Sequence, residues 1–274
     1  MAGSDERPTI AVLGAGKIGE ALLSGLLSSG RRVDELMFTE RHGDRAAEMT
    51  TRYGLRAVDV AEAAKAADVL VVAVKPQDID PLLDELAPVI APPTLVVSLC
   101  AGLPTRLFES RLPAGVPVVR VMPNTPAVVG EAMSAISPGG HAGPEHLDVV
   151  EQVLSAVGKV VRVPESQQDA VTALSGSGPA YFFYLVEAMT DAGILLGLPR
   201  AVAHDLIVQT AIGAAVMLRD SGEHPVSLRE AVTSPAGTTI NAIRELENHR
   251  VRAALLAALE AARDRSRELA SGQG

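Results

Sequence analysis

The stretch Thr9–Leu27, TIAVLGAGKIGEALLSGLL, decides the fold class. Thr9-Ile10-Ala11-Val12-Leu13 is a short apolar run of the kind that forms a strand buried on both faces. Gly14-Ala15-Gly16-Lys17-Ile18-Gly19 follows at once, and Ile18, Leu22, Leu23 and Leu26 then recur at helical spacing. The glycines therefore stand where a strand turns into a helix. Gly14 permits a tight turn, Gly16 lets a diphosphate approach the backbone, and Gly19 lets helix and strand pack closely. The helix start offers unpaired N–H groups and the positive end of its dipole to such a group. A GxGxxG alone is a weak signal; between a strand and a helix it points to a dinucleotide site. The alternative is a structural glycine turn.

Downstream, strand and helix patterns alternate. Glu35–Thr39 reads as the second strand and ends in Thr39-Glu40-Arg41, where a doubly wound sheet meets the adenosine ribose. An acid there favours a free 2′-hydroxyl, and an arginine accommodates a 2′-phosphate. Arg41 with Thr39 favours NADP, and Glu40 keeps NAD open. Arg56–Asp59 is a third, short strand. Asp68–Val74 is a buried strand with Lys75 at its carboxyl end and Pro76 placed for a helix first turn. Thr94–Leu99 is the next strand, closing with Cys100-Ala101-Gly102. No histidine neighbours Cys100 to activate it, so it reads as a small buried residue. Val116–Val121 runs into the rigid turn Met122-Pro123-Asn124-Thr125-Pro126. Glu131–Ser137 has the character of an edge or antiparallel strand, Pro144–Val157 of a helix and Lys159–Val163 of a last strand.

From about Pro164 the strand patterns stop. Ser175-Gly176-Ser177-Gly178-Pro179 is expected to break regular structure before a helix over Ala180–Leu196, which Gly197-Leu198-Pro199 ends. Arg200–Ser221 follows, with Gly213-Ala214-Ala215 suited to close helix contact. Ser234–Thr239 is a loop before a helix running through Leu246, and Arg250–Leu269 is the last helix. The expectation is a Rossmann-type doubly wound α/β domain over residues 1–163 and an all-α domain over residues 164–274. Glu187 and Asp191 inside the apolar stretch Ala180–Leu198 mark a buried helix rather than a membrane span. The helices at Ala180–Leu196 and Arg200–Ser221 are apolar around much of their circumference, which calls for burial against a partner chain.

Composition excludes several classes. A net charge of -9 opposes general nucleic-acid binding, which needs a basic face. The single cysteine excludes an intrachain disulfide or a cysteine-cluster metal site and fits a reducing cytoplasm. The start, MAGSDERP, lacks a hydrophobic signal core. No histidine spacing suggests a metal site. No lysine follows Lys159, which weakens a hydroxyacid reductase with a lysine acid in its helical half. An iminium-like substrate suits such a site, because a protonated C=N bond accepts hydride unaided.

With these residues in view, the chain resembles the pyrroline-5-carboxylate reductase family. VLGAGKIGEAL, AVKPQ, VVRVMPNTPA, DAVTALSGSGPAYFF and TSPAGTTI occur in the family's order over nearly the whole length, and the last two are far more specific than the glycine loop. The resemblance implies NAD(P)H-dependent reduction of 1-pyrroline-5-carboxylate to L-proline. It also implies a homodimer of intertwined helical domains, assembled further into a ring. Carried onto this chain, it places Gly14, Gly16, Lys17, Ile18 and Gly19 at the cofactor diphosphate and Thr39 and Arg41 at the adenosine ribose. Val74, Lys75 and Ala101 fall by the nicotinamide half. Glu165, Ser234, Gly237, Thr238 and Thr239 fall at the substrate; with no lysine or paired histidine in the helical half, Thr239 is expected to be the catalytic residue, its hydroxyl near the ring nitrogen. The physics of residues 237–239 agrees: the free N–H groups of a helix start can hold a carboxylate. Plain helix capping is the alternative.

Two positions depart from the family. Ala236 replaces the first glycine of Ser-Pro-Gly-Gly, which is expected to be tolerable because no positive φ is anticipated there. Val58-Asp59-Val60-Ala61 lacks an asparagine that often touches the ribose. A reductase of another small imine or hydroxyacid and a non-catalytic NADP-binding module are the competing functions.

Overall fold

In the computed structural model, which describes residues 7–270, β1 (Ile10–Leu13) is buried over its whole length. Alternation along the strand sends Ile10 and Val12 into one hydrophobic layer and Ala11 and Leu13 into the other. An unbroken apolar run is what a strand covered on both faces requires. The two layers are mainly aliphatic, with Phe38 and Phe108 as their large aromatic members.

The order after β1 is α1 (Lys17–Ser28), β2 (Leu36–Thr39), α2 (Gly43–Tyr53), β3 (Arg56–Ala57), α3 (Val60–Ala66), β4 (Val69–Val72), α4 (Ile79–Leu86), β5 (Leu95–Ser98), α5 (Thr105–Arg111), β6 (Val118–Met122), β7 (Ala132–Pro138), α6 (Pro144–Leu154) and β8 (Gly158–Arg162). The sheet runs β3-β2-β1-β4-β5-β6-β7-β8. Within β3-β2-β1-β4-β5-β6 every pair is parallel. The order reverses between β1 and β4, and doubly wound sheets open a ligand crevice at that switch point. β7 is antiparallel to β6, and β8 pairs parallel to β7. The edge is therefore β8, and the expected antiparallel strand lies one place inside it.

Helices follow: α7 (Gln168–Val171), α8 (Gly178–Leu195), α9 (Arg200–Ser221), α10 (Pro225–Ala231), α11 (Thr238–Asn248) and α12 (Val251–Ala270). The glycine-rich segment at 175–179 breaks regular structure only at Ser177, a bend just before α8. Thr172–Gly176 continues α7 as a π-helical turn, which widens the helix instead of ending it. Asn124 Nδ2 donates to the Ser175 carbonyl oxygen at 3.2 Å and to its Oγ at 3.3 Å. α10 has no counterpart in the sequence reading; its seven residues are too few for a periodic pattern.

The chain divides into two units, one running to Ser177 and taking in the end of α12 from Ala262, the other spanning Gly178–Ala261. In the first unit, Ser266 Oγ donates to Asp169 Oδ1 at 2.7 Å, which fastens the end of α12 to α7. In the second, α8 meets α9 at Gly193, where a Cβ would stand 2.7 Å from the Ala203 Cβ. The close helix contact within this unit is at Gly193; a Cβ on Gly213 would meet no atom of the same chain within 4 Å. Within one chain α8 is little buried, consistent with an apolar helix that needs a partner to cover it. Only Gly178 and Thr190 are buried, and Phe182, Phe183, Tyr184 and Leu195 are largely exposed. α9 has one buried residue, Ala203, and is long and apolar enough, by length and composition alone, to cross a membrane.

A Cβ on Gly25 of α1 would collide with Val157 Cγ1 and stand 2.8 Å from the Ala156 carbonyl oxygen. Gly25→Ala is expected to cost about 1–3 kcal/mol by overpacking. Denaturant unfolding checks this through a lowered midpoint with an unchanged slope.

Candidate functional site

A cleft of about 900 Å³ opens beyond the carboxyl ends of β1, β2 and β4. Gly14, Gly16, Thr39, Arg41, Val74 and Lys75 all line it, so six of the expected cofactor residues come together. Lys17, Ile18 and Gly19 lie in the first turn of α1, and Ala101 follows β5; these do not line the cleft.

The three glycines of the turn differ physically. Gly14 has φ +105°, a conformation that side-chain-bearing residues rarely adopt. A Cβ on Gly19 would collide with the Gly14 carbonyl oxygen, so glycine is needed for helix and strand to meet. Gly16 has φ -69° and ψ -175°, open to any residue, and a Cβ there would meet nothing within 4 Å. Neither backbone nor packing demands glycine at 16. The free space over it is what a diphosphate approaching the backbone needs. Gly16 also caps α1 without a side-chain hydrogen bond, so no side chain claims the first amides of that helix. The residues present therefore fit a dinucleotide.

At the β2 end, the Gly14 N–H donates to the Thr39 carbonyl at 3.1 Å. Glu40 Oε1 accepts from the His42 N–H at 3.0 Å, at the start of α2. Arg41 Nη1 stands 3.4 Å from Asp78 Oδ1. Arg45, also in the lining, is held by Glu20, by Glu48 at 2.7 Å and by the Ala15 carbonyl at 3.3 Å. Burial works to raise the Glu20 carboxyl. Hydrogen bonds from Arg45 and Tyr53, with the charges of Arg45 and Arg52, outweigh it and hold the group below the usual carboxylate range. Val58, Asp59 and Val60 line the cleft despite lacking the asparagine. Asp59 caps α3, accepting from the Glu62 N–H at 2.7 Å. Arg45 and Asp78 were not foreseen from sequence; their place follows from the strand order, which brings the ends of β2 and β4 to either side of β1.

A second polar group runs across the same sheet. Val72, Ser98, Arg120 and Ser137 are register partners on β4 to β7. Ser98, Arg120 and Ser137 are buried, so this row turns from apolar to polar. Arg120 Nη1 reaches Glu165 Oε1 at 3.4 Å. Glu165 also accepts from the Thr105 N–H and Oγ1, each at 2.8 Å, at the start of α5. A buried arginine needs such a partner, since removing one charge strands the other. Gln168 Nε2 donates to Ser137 Oγ at 2.7 Å, and Ser137 Oγ donates to the Val163 carbonyl at 2.8 Å. Glu165 is thus held in place by the sheet and α5. Arg120 was legible as a charge inside the apolar strand VVRVM, but not its partner. Near this row Cys100 Sγ lies 3.4 Å from the Val74 carbonyl, and burial pushes its thiol up to about 11. It is a neutral packing group near pH 7.

In the second unit the loop before α11 has its own geometry. The Gly237 N–H donates to the Ser234 carbonyl at 3.1 Å, closing a turn with Pro235 second and Ala236 third. Ala236 has φ 58°, against the expectation that no positive φ was needed. A turn with proline second and φ > 0 third is the type II arrangement, which favours glycine at that third place. Gly237 then caps α11 with no side-chain hydrogen bond. Ser234, Thr238 and Thr239 therefore do not serve as caps. Asn241 Nδ2 donates to the Gly237 carbonyl at 2.8 Å, holding the turn to the helix.

Residues 165–269 match the family described as pyrroline-5-carboxylate reductase dimerisation, and residues 9–102 match NADP oxidoreductase, coenzyme F420-dependent. The chain is 46% identical to a pyrroline-5-carboxylate reductase of Mycobacterium tuberculosis, over 95% of this chain and 96% of that protein. Among solved structures it is similar to a pyrroline-5-carboxylate reductase from Coxiella burnetii, with a TM-score of 0.93, 35% identity and coverage of 96% of this chain and 99% of that one. It is also similar to the Plasmodium falciparum pyrroline carboxylate reductase with NADP bound, with a TM-score of 0.85, 27% identity and coverage of 97% and 99%.

Gly16→Ala and Gly19→Ala separate binding from folding. Gly16→Ala is expected to keep the parent melting temperature yet weaken NADP binding at least about tenfold. Gly19→Ala is expected to lower the melting temperature as well. Thermal unfolding and titration calorimetry on both variants check this; a stable Gly16→Ala that binds normally contradicts it.

Proposed function

The chain belongs to the pyrroline-5-carboxylate reductase family, and from that membership we infer that it reduces 1-pyrroline-5-carboxylate to L-proline with NADPH, the last step of proline synthesis. The observation that carries this is the presence, in one chain of that family, of the open Gly16 cleft and the uncapped start of α11. Bound NADPH supplies the hydride. The turn at Gly14 and Gly16, with the Lys17, Ile18 and Gly19 amides of α1, holds its diphosphate. Thr39 and Arg41 hold the phosphorylated ribose, and Val74, Lys75 and Ala101 attend the nicotinamide half. Arg41 favours NADPH over NADH, because Glu40 is already engaged by the His42 amide.

The first amides of α11 at Thr238 and Thr239, with Gly237 before them, hold the substrate carboxylate. The Ser234 hydroxyl adds a hydrogen bond, and Glu165 contributes from the position that Thr105 and Arg120 fix. The Thr239 hydroxyl bonds the ring nitrogen. The substrate arrives as the protonated imine, so no protein acid has to supply a proton. That fits a helical half without lysine. The protein's part is orientation of the reacting carbon.

The functional division follows the change of sequence character, with a dinucleotide-binding domain at 1–163 and a helical dimerisation and substrate domain at 164–274. The apolar surfaces of α8 and α9 are covered by a second copy of the chain, and dimers assemble into a ring. The enzyme works in the cytoplasm, where a free buried thiol such as Cys100 persists.

A steady-state assay of 1-pyrroline-5-carboxylate with NADPH and NADH, beside a six-membered cyclic imine, tests the activity. Failure to turn over the five-membered imine overturns it. Thr239→Val should lose one buried hydrogen bond worth about 1–3 kcal/mol, slowing turnover about ten- to a hundredfold with unchanged NADPH affinity. Activity within twofold of the parent removes Thr239 from the mechanism. Analytical ultracentrifugation should find a dimer or larger; an active, monodisperse monomer contradicts the pairing of α8 and α9.

A further inference from the structure

Asp78 stands at the N-terminal boundary of α4, the place where an aspartate ordinarily accepts from the first amides of its own helix. It makes no such bond. Its own N–H donates to the Lys75 carbonyl at 2.9 Å, closing the turn after β4. Its carboxylate instead turns across the cleft towards Arg41, Oδ1 to Nη1 at 3.4 Å. The two residues come from loops on opposite sides of β1, after β4 and after β2, and both line the cleft. Two neighbouring charges, Glu40 and Arg45, have other partners. Glu40 accepts from the His42 amide, and Arg45 is held by Glu20 and Glu48.

We propose that Asp78 tunes the discrimination between 2′-phosphorylated and unphosphorylated dinucleotides by competing with the 2′-phosphate for Arg41. This rests on the assignment of Arg41 to that phosphate. Both side chains of the pair are substantially exposed, 57% for Arg41 and 40% for Asp78. Such pairs are weak and easily exchanged. A 2′-phosphate must nevertheless draw Arg41 off Asp78 and sit close to the carboxylate it displaces. A dinucleotide with a free 2′-hydroxyl does neither. Asp78 therefore penalises the phosphorylated cofactor selectively and moderates a preference that Arg41 alone would make steeper.

The test is equilibrium binding of NADP+ and NAD+ by titration calorimetry to the parent, Asp78→Asn, Arg41→Ala and the double variant. Asp78→Asn is expected to tighten NADP+ about two- to fivefold, scaled to an exposed ion pair, with NAD+ changed less. In the Arg41→Ala background the same substitution should have little effect, because nothing is left to compete for. If Asp78→Asn leaves the NADP+ to NAD+ ratio unchanged or lowers it while Arg41→Ala selectively weakens NADP+, the proposal is overturned and the assignment of Arg41 stands. If Arg41→Ala weakens both dinucleotides alike, the assignment itself falls. An undiminished Asp78→Asn effect in the double variant overturns the competition.

Discussion

A side chain on Gly19 would collide with the carbonyl oxygen of Gly14, so α1 can rest on the end of β1 only while position 19 has no Cβ. Much of the first unit depends on that close approach. It brings the first amides of α1 to the carboxyl end of the central strand. It needs the positive φ of Gly14 to turn the chain, while the Gly14 amide still extends the β1–β2 ladder to the Thr39 carbonyl. The cleft then follows from strand order. β2 and β4 flank β1, so the loops after both strands converge on the space left over Gly16.

The buried polar row answers a different constraint. Arg120 sits in a strand whose other residues are mostly apolar, and its charge is tolerable only with an anion beside it. Glu165 supplies that anion and also satisfies the first amide of α5. One carboxylate thereby joins β6, α5 and the segment after β8. Gln168 and Ser137 extend the same layer to the Val163 carbonyl. An acid that by family resemblance belongs to the substrate is thus held by structural bonds, so its orientation is set before any substrate binds.

The helical unit shows the cost of a chain shaped for assembly. α8 and α9 meet closely where Gly193 faces Ala203, yet most of their apolar side chains face outward. Large exposed apolar surface of this kind marks an interaction face, and a family described by its dimerisation supplies the partner as a second copy. The positive φ of Ala236 is a local counterpart. The turn before α11 keeps its type II form although alanine is less at ease there than glycine, because the Ser234–Gly237 hydrogen bond and the start of α11 hold it.

The alternation of strand and helix, the glycine turn, the change to helices after residue 164 and the neutral role of Cys100 were all legible in the sequence. Each is carried by local pattern: apolar runs, helical spacing, glycine and proline at boundaries. Gly14, Gly16, Thr39, Arg41, Val74 and Lys75 were legible as cleft residues because strand ends in a doubly wound sheet converge by rule. Other features depend on groups far apart in the chain. Glu165 meets Thr105 and Arg120, Arg41 meets Asp78, and Gly193 meets Ala203. No local pattern encodes such pairings, which arise only when register and strand order bring the residues together. The π turn at Thr172–Gly176, where Asn124 reaches Ser175, is also a tertiary outcome, whereas the left-handed Ala236 belongs to the local turn closed by Ser234 and Gly237. The break expected over 175–179 is confined to Ser177, and Ala236 takes a positive φ where an ordinary one was expected, because the proline-containing turn before α11 requires it.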